Sequence, residues 1–259
     1  MTNFEHDGYT IINDVLTGGQ LAEIHDEAAK ICREVGYENV TDVLCLHFPH
    51  KISDLLLKTA QLPKITETLT DVIGPNVKMM QSMLFIKAAG KPGQAWHQDE
   101  THIPTRDRSL TAVWLALDDA TTENGCLWVI PGSHRTGYLY PDREQEDPGF
   151  DCTKEAHGFT DDQAVPVELK AGDALVFDGH LLHRSLPNTS NGTRRAYVTH
   201  YMNAGSLLPW FPPADNESMG TTDHRDIVMV AGVDPYAFKG ITDVMRPHIR
   251  PAGDGGCVR

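Results

Sequence analysis

Hydrophobic residues recur every three or four positions in the first part of the chain, which is the spacing of helices with one buried face. One such stretch contains Leu21, Ile24, Ala28, Ile31 and Val35. Thr17 can cap this helix at its start, and Gly36 lies where a helix commonly ends. A second helical region is predicted over residues 53–73, interrupted near Pro63 and closed by Gly74. The pattern therefore predicts a helical part over about residues 1–75.

The spacing of apolar residues changes to two after residue 76, which is the period of β-strands. This alternation puts one set of side chains on the same face of the first strand: Val77, Met79, Gln81, Met83, Phe85 and Lys87. Further short strands are predicted over residues 112–117, 127–130, 165–169, 174–178 and 194–203. Their succession is typical of an antiparallel sandwich or barrel and predicts a β core over about residues 76–205.

Two segments follow neither pattern. Residues at about 135–162 are polar and charged and too long for a hairpin turn, so we interpret them as a lid whose acidic side chains form a solvated face. Residues at about 206–259 contain Pro212, Pro213 and a glycine-rich end, and we expect this tail to wrap the surface. One domain spanning residues 1–259 is predicted.

Composition and charge narrow the class of partner. The 259 residues are 40% hydrophobic, which is enough to fill a buried core. The formal charge of −14 repels nucleic-acid phosphates and anionic lipid headgroups. The sequence contains no apolar stretch of about 18 residues, so it predicts no membrane span. We therefore expect a small-molecule substrate, with neither nucleic acid nor membrane as partner. The composition does not address the oligomeric state.

The cysteines favour a reducing compartment. They are odd in number and scattered, with no Cys-x-x-Cys pair: Cys32, Cys45, Cys126, Cys152 and Cys257. The first 30 residues have neither the basic start nor the apolar run of a signal peptide. A cytoplasmic location is therefore expected.

Candidate metal chemistry lies in two segments. On extended backbone His97 and Asp99 project to the same face, although a simple His–Asp hydrogen bond explains this pair better when it is taken alone. His183, 84 residues after Asp99, completes a two-histidine, one-carboxylate triad, which holds iron(II) and leaves its opposite positions open. Arg194 follows eleven residues later, and its guanidinium can bind a carboxylate bidentately.

Further motifs join these residues in order along the chain. They are His97-Gln98-Asp99, Glu123-Asn124-Gly125-Cys126-Leu127, Pro131-Gly132-Ser133-His134, Ala171-Gly172-Asp173 and His183-Arg184-Ser185 with Arg194. Over residues 81–201 this set resembles the phytanoyl-CoA dioxygenase family of iron(II)- and 2-oxoglutarate-dependent oxygenases. The resemblance implies a mainly β fold with supporting helices, the cupin-like double-stranded β-helix or jelly roll.

The resemblance also implies a role for each candidate residue. The implied iron ligands, which are the catalytic residues, are His97, Asp99 and His183. The implied 2-oxoglutarate-binding residues are Arg194, Ser185, Trp114 and Lys87. Arg194 is preferred to Arg195, because neighbouring side chains in a strand face opposite sides. Gln81 joins this set because it shares a strand face with Lys87.

Other interpretations stay open for several residues. Trp114 lies between apolar neighbours and is equally explained as core, and Lys87 is equally explained as a surface cation at a strand end. His180 and His200 match no ligand position and are interpreted as structural histidines. His134 follows a turn near the expected cavity, and a contact with substrate is not favoured there.

The implied reaction is hydroxylation of an unactivated C–H bond in a small metabolite or natural-product intermediate. Its cofactors are iron(II), 2-oxoglutarate and dioxygen, with ascorbate as a supporting reductant, and succinate and carbon dioxide are released. Halogenation is disfavoured, because related halogenases replace the carboxylate that Asp99 provides here. Desaturation, epoxidation, ring formation and acyl-CoA hydroxylation are alternatives, and the negative charge argues against an acyl-CoA.

A competing class is a cupin-like module that binds zinc or nickel without catalysis. Such a module would have no use for a carboxylate clamp, so Arg194 and Ser185 together argue against it.

Overall fold

Strands make up most of the regular structure in the computed structural model, which describes residues 3–151, 154–206, 227–241, 243 and 245–252. The strands up to residue 129 are β1 (Tyr9–Ile12), β2 (Val43–His47), β3 (Val77–Lys87), β4 (Gln94–His97), β5 (Thr111–Ala116) and β6 (Leu127–Val129). They are followed by β7 (Asp142–Glu144), β8 (Lys154–Ala156), β9 (Val165–Val167), β10 (Ala174–Asp178), β11 (His183–Ser185), β12 (Arg194–Asn203), β13 (Val228–Ala231) and β14 (His248–Pro251). The α-helices are α1 (Phe4–Asp7), α2 (Gly18–Glu34), α3 (Asp54–Thr59) and α4 (Pro63–Ile73).

Two antiparallel sheets enclose the interior of the protein. The larger sheet has the strand order β1-β10-β5-β12-β3-β2-β14, and β13 also pairs with β3. The smaller sheet has the order β4-β11-β6-β9, and β7 and β8 form a separate hairpin inside the predicted lid. Strands distant in sequence are thus neighbours in both sheets, as in a jelly roll. The predicted mainly β fold with supporting helices is confirmed.

The helices pack on the outer face of the larger sheet. Ile24 of α2 and Leu69 of α4 belong to one buried cluster with Leu115 of β5 and Tyr197 of β12. A second apolar cluster, which includes Trp114 of β5, lies on the other side of this sheet. The larger sheet is therefore buried on both faces, and the space between the two sheets is available for a site.

The helix boundaries follow local capping chemistry. The Thr17 side chain accepts a hydrogen bond from the backbone N–H of Gln20, and the Gln20 side chain accepts one from the backbone N–H of Thr17. The predicted first helix is confirmed, but Val35 lies beyond its end and is 54% exposed, so its predicted place on the buried face is wrong. Ser53 caps α3, and Pro63 begins α4 after the predicted interruption.

In strand β3 the alternation of side chains between the two faces of the sheet shifts by one residue part-way along the strand. Its pairing with β12 leaves Met80 as an extra residue between Met79 and Gln81, which is a β-bulge. Val77 and Met79 therefore pack in the cluster under the helices, whereas Gln81 and Lys87 face the space between the sheets. The prediction of one shared face is correct from Gln81 to Lys87 and wrong for Val77 and Met79.

Several strands form where the apolar pattern predicts none. β1 and β2 lie within the predicted helical part, and β2 pairs with β14 of the predicted tail. Residues 207–226 and 253–259 of that tail lie outside the described residues, as do Cys152 and Cys257. The other cysteines are buried free thiols. Across the described part of the chain, every helix is too short or too polar to span a membrane.

Candidate metal and cosubstrate site

Three predicted ligands converge at one end of the smaller sheet. His97 ends β4 and His183 begins β11, and antiparallel pairing places these two residues directly opposite each other. Asp99 follows β4 and begins a short 3-10 turn. Oδ1 of Asp99 lies 3.6 Å from Nε2 of His97 and 3.5 Å from Nε2 of His183. One ligand atom from each residue lies within 4.8 Å of the others, so the group could hold a metal ion.

Backbone carbonyls orient both imidazoles. Nδ1 of His97 lies 2.8 Å from the carbonyl oxygen of Ala95, and Nδ1 of His183 lies 2.9 Å from that of Leu181. Because a carbonyl only accepts, each Nδ1 carries the hydrogen and donates it. Each Nε2 therefore presents its lone pair to the centre of the triad, which is the state required for metal binding.

The local charges favour the same protonation states. Burial and the neighbouring His183 lower the pKa of His97 to about 3, so this ring is neutral at physiological pH. Burial by itself would raise the pKa of Asp99, but His183, His200 and His97 outweigh it and hold that pKa below its ordinary value. These shifts favour a neutral imidazole at His97 and an ionised carboxylate at Asp99, and a set of imidazole nitrogens with one carboxylate oxygen suits iron(II).

A cavity of about 390 Å³ lies between the sheets and contains the triad. Its volume is typical of sites for small molecules. The predicted cosubstrate residues also line it: Gln81, Lys87, Trp114, Ser185 and Arg194. The structure therefore places all the predicted site residues around one space.

Arg194 is buried in this cavity, and no residue that the structure describes provides it with an anionic partner. Its side chain lies over the ring of Trp114, with Cζ 5.2 Å from the ring centroid. Among the described residues no hydrogen bond or ion pair reaches its guanidinium, and its buried Nε has no acceptor. Burial lowers its pKa to about 10, so the side chain is cationic at neutral pH. An unpaired buried cation of this kind favours the binding of an anion.

Lys87 places a buried amino group beside Arg194. The two residues are paired in register on β3 and β12. Nζ of Lys87 donates hydrogen bonds to Oγ of Ser185 and to the carbonyl of Leu186, each at 2.8 Å. Burial, and then the charge of Arg194, lower the pKa of Lys87 well below its ordinary value. Lys87 is buried, so its interpretation as a surface cation is wrong. Trp114 belongs to the buried core and also lines the cavity.

A glycine turn approaches Lys87 closely. Gly125 has a φ of +84°, and a Cβ at this position would lie 2.5 Å from the carbonyl oxygen of Leu186 and 2.9 Å from Nζ of Lys87. A side chain here would clash with backbone, so only glycine fits this approach. The motif that contains Asn124 and Gly125 therefore forms a turn, and this turn closes the cationic end of the cavity.

Other histidines named in the sequence lie at different places. His134 contacts the backbone of Glu5 and does not line the cavity. His180 is buried beside Glu100 and Asp178 and also lies outside the cavity lining. His200 does line the cavity, and its Nε2 lies 3.1 Å from Oδ2 of Asp99. Spacing alone gives no signal for that contact, because it depends on how β12 meets the turn after β4.

Part of the cavity wall is built from residues that the sequence patterns do not single out. His47 of β2 and His248 of β14 are cross-strand partners whose rings stack, with centroids 4.4 Å apart and planes at 6°. Arg250 forms an ion pair with Asp151, which links the C-terminal strand to the predicted lid. The predicted lid and tail thus both contribute to the cavity wall.

Comparison with known sequences identifies relatives. The profile of the phytanoyl-CoA dioxygenase (PhyH) family matches residues 4–196. Phytanoyl-CoA dioxygenase 1 of Oryza sativa subsp. japonica is 35% identical over 156 residues, which cover 60% of this chain and 55% of the relative. The peroxisomal phytanoyl-CoA dioxygenase of Bos taurus is 28% identical over 228 residues, which cover 78% of this chain and 67% of the relative. The chain thus spans only about half the length of the rice relative.

Comparison with solved structures identifies the same architecture. The non-heme monooxygenase ThoJ matches with a TM-score of 0.69 and 23% identity, over 89% of this chain and 83% of ThoJ. The epimerase SnoN, solved with Fe3+, alpha-ketoglutarate and nogalamycin RO, matches with a TM-score of 0.65 and 20% identity, over 83% of this chain and 89% of SnoN. At sequence identities of 23% and 20%, the similarity to these two structures shows the fold of this chain alone.

Proposed function

Because the chain belongs to the phytanoyl-CoA dioxygenase family, we propose that it is an iron(II)- and 2-oxoglutarate-dependent oxygenase. The observation that carries the proposal is the presence, in one cavity, of three convergent ligand atoms and a buried arginine to which no described residue offers an anionic partner. A metal-binding module needs the first feature and has no use for the second. An enzyme that binds a metal ion together with a dicarboxylate needs both.

The donor set fits iron(II). His97 and His183 would bind the ion through Nε2, since each Nδ1 is committed to a backbone carbonyl. Asp99 would bind through Oδ1, because Oδ2 already has His200 as its partner. When bound, iron(II) together with 2-oxoglutarate and dioxygen supplies oxidation of a C–H bond, with release of succinate and carbon dioxide. Retention of the Asp99 carboxylate leaves no vacant ligand position for a halide, so the proposed reaction is not halogenation.

The cationic end of the cavity would bind the distal carboxylate of 2-oxoglutarate. Arg194 offers a planar pair of donors, and Lys87 beside it offers an amine whose charged form a bound carboxylate would favour. Ser185 receives its hydrogen bond from Lys87, so its own hydroxyl hydrogen is available to a carboxylate oxygen. Apolar side chains around them, among them Leu127 and Val198, keep water from this end and strengthen the ion pair.

We assign the remaining space to a small metabolite or natural-product intermediate. This part of the wall combines apolar side chains such as Phe48, Met83 and Ile103 with the amide of Gln81, which faces the cavity on the same strand as Lys87. Hydroxylation is the proposed outcome. Desaturation, epoxidation or ring formation would use the same residues, and hydroxylation of an acyl-CoA is disfavoured by the net charge of −14. Because of the same negative charge, we expect neither nucleic acid nor membrane as a partner. The cytoplasmic location stays a prediction.

Succinate formation tests the proposal. Purified protein supplied with iron(II), ascorbate and air should convert 2-oxoglutarate to succinate slowly, and faster when a panel of amines, amino acids, terpenoids and acyl-CoA esters includes a substrate. His183→Ala should form no succinate above background, whereas His180→Ala, which changes a buried histidine outside the cavity lining, should retain the activity. A protein that binds iron(II) but forms no succinate with any member of the panel would favour the metal-binding module.

A further inference from the structure

His200 reaches the proposed metal ligand Asp99 from the larger sheet. It lies on β12, and its side chain is 3% exposed. Its Nε2 lies 3.1 Å from Oδ2 of Asp99. An ionised carboxylate only accepts hydrogen bonds, so Nε2 of His200 carries the hydrogen and donates it. The two sheets are therefore joined at the metal site by a charge-assisted hydrogen bond.

The two oxygens of Asp99 have different neighbours. Oδ1 faces Nε2 of His97 at 3.6 Å and Nε2 of His183 at 3.5 Å, whereas Oδ2 faces His200. A short side chain such as aspartate turns about two bonds, and a donor on one oxygen fixes the direction of the other. The hydrogen bond from His200 therefore directs Oδ1 to the point where the two histidine nitrogens converge.

The ring of His200 has little else to hold it. Its Nδ1 is buried and, within the part of the chain that the structure describes, has no hydrogen-bond partner. A half-satisfied polar ring in the interior is less favourable for folding than an apolar side chain of similar size. Stability alone thus does not explain a histidine at this position, and its contact with Asp99 does.

We propose that His200 is a positioning residue, which holds the carboxylate of Asp99 in the orientation that binds the metal. Groups that orient a ligand in this way commonly contribute about 10- to 100-fold to metal affinity. The inference rests on the proposed metal site, but it does not depend on turnover of 2-oxoglutarate.

Metal affinity in two variants tests the role. His200→Leu removes the donor with a side chain of similar size, and His200→Gln keeps an N–H donor at about the reach of Nε2. We expect the dissociation constant for cobalt(II), measured anaerobically by titration, to rise about tenfold or more in His200→Leu. His200→Gln should restore most of the affinity. The matched control is His180→Leu, since His180 is similarly buried but pairs with Glu100 and Asp178, and its affinity should stay within about twofold of the unaltered protein.

Unchanged cobalt(II) affinity in a folded His200→Leu protein would overturn the inference, as would equal losses in the leucine and glutamine variants. If the leucine variant does not fold, nitrogen-15 NMR of the unaltered zinc(II)-loaded protein decides the point. A slowly exchanging hydrogen on Nε2 of His200 is the expected result, and a hydrogen on Nδ1 would contradict it. Loss of metal affinity in a protein that never forms succinate would refute the proposed enzyme while leaving the role of His200 in place.

Discussion

Arg194 and Arg195 are adjacent on β12 and face opposite sides of the larger sheet. Arg194 lies in the cavity over Trp114, whereas Arg195 pairs with Asp118 through Nε and Nη2, both at 2.7 Å. Within the described part of the chain, the guanidinium of Arg194 has no anionic partner, whereas that of Arg195 is already paired with a carboxylate. Strand alternation predicts that the two side chains face opposite sides, and the family resemblance, through the eleven-residue spacing from His183, assigns the cavity to Arg194. Alanine substitutions at these two neighbours should therefore have different consequences.

Arg194→Ala should raise the 2-oxoglutarate requirement on the order of a hundredfold or more, which corresponds to about 2.7 kcal/mol. The reason is that the cosubstrate carboxylate would be buried without its bidentate partner. Iron(II) binding should be unaffected, because no metal-ligand atom changes. Titration of 2-oxoglutarate into the iron-loaded protein without oxygen measures the effect.

Arg195→Ala is the matched control for that experiment. It removes a partly exposed ion pair with Asp118, which stabilises the fold by about 1 kcal/mol or less. Its 2-oxoglutarate affinity should stay near that of the unaltered protein. The reverse result, with Arg195 critical and Arg194 dispensable, would remove the cosubstrate site from the place proposed here.

Alanine at any of the three proposed ligands should abolish stoichiometric iron binding. His97, Asp99 and His183 each provide one of the three convergent atoms, and two remaining donors are too few to hold the ion against water. Metal analysis after anaerobic gel filtration gives the stoichiometry, with His180→Ala as the variant that should still bind. Full iron content in Asp99→Ala or His183→Ala would show that the ligands lie elsewhere.

Gly125→Ala should weaken both the fold and 2-oxoglutarate binding. The new Cβ would meet the carbonyl of Leu186 and displace Lys87 from Ser185. Gly36→Ala separates this effect from backbone strain, because Gly36 also has a positive φ, +95°, but a Cβ added there would have no contact within 4 Å among the described residues. Both variants should melt at a lower temperature, by a few degrees for about 1 kcal/mol. Only Gly125→Ala should lose 2-oxoglutarate affinity, and equal affinities in the two variants would refute the role given to this turn.

The free energy of unfolding of the metal-free protein should fall as the pH is lowered from about 6.5 to about 4. Burial, His248 and Arg250 lower the pKa of His47 to about 4 in the folded protein. In that pH window the unfolded chain binds a proton at residue 47 that the folded chain does not, so unfolding is favoured. The contribution of His47 vanishes above about pH 7, where neither state is protonated.

His47→Gln tests this assignment, because glutamine does not titrate. Urea unfolding at several pH values should show a slope that is smaller by up to about 1.4 kcal/mol per pH unit in the variant. Parallel stability curves for the two proteins between pH 4 and 6.5 would mean that His47 does not carry the effect.

Much of the fold follows from local pattern, and the exceptions have identifiable causes. The period of the apolar residues and the capping chemistry of Thr17 predict the longest helix correctly, and the helical region predicted over residues 53–73 contains α3 and α4. Because of the bulge at Met80, the side chains of Val77 and Met79 lie on the opposite face of the sheet from the one predicted. A bulge arises from pairing with another strand, so the spacing of apolar residues does not predict it. β14 is predicted by nothing local, since its short sequence becomes a strand only by pairing with β2 some 200 residues earlier in the chain.

The residues of the site likewise include some that the sequence predicts and others that depend on the tertiary structure. The predicted ligands and cosubstrate residues belong to motifs whose spacing carries information, and they do line one cavity. His200 has no motif, and its contact with Asp99 exists only because β12 crosses the turn that follows β4. Asp151, His248 and Arg250 come from the predicted lid and tail, whose polar composition indicates exposure, and their place in the wall depends on tertiary pairing.

Anaerobic absorption spectroscopy tests the central claim most directly. When 2-oxoglutarate is added to the iron(II)-loaded protein without oxygen, chelation through its C1 carboxylate and 2-oxo group produces a visible charge-transfer band. The unaltered protein should show this band, Asp99→Ala should not, and Arg194→Ala should require on the order of a hundredfold more 2-oxoglutarate to reach it. Absence of the band at saturating iron(II) and 2-oxoglutarate would contradict the account, since the triad and the arginine would then not form one cosubstrate site.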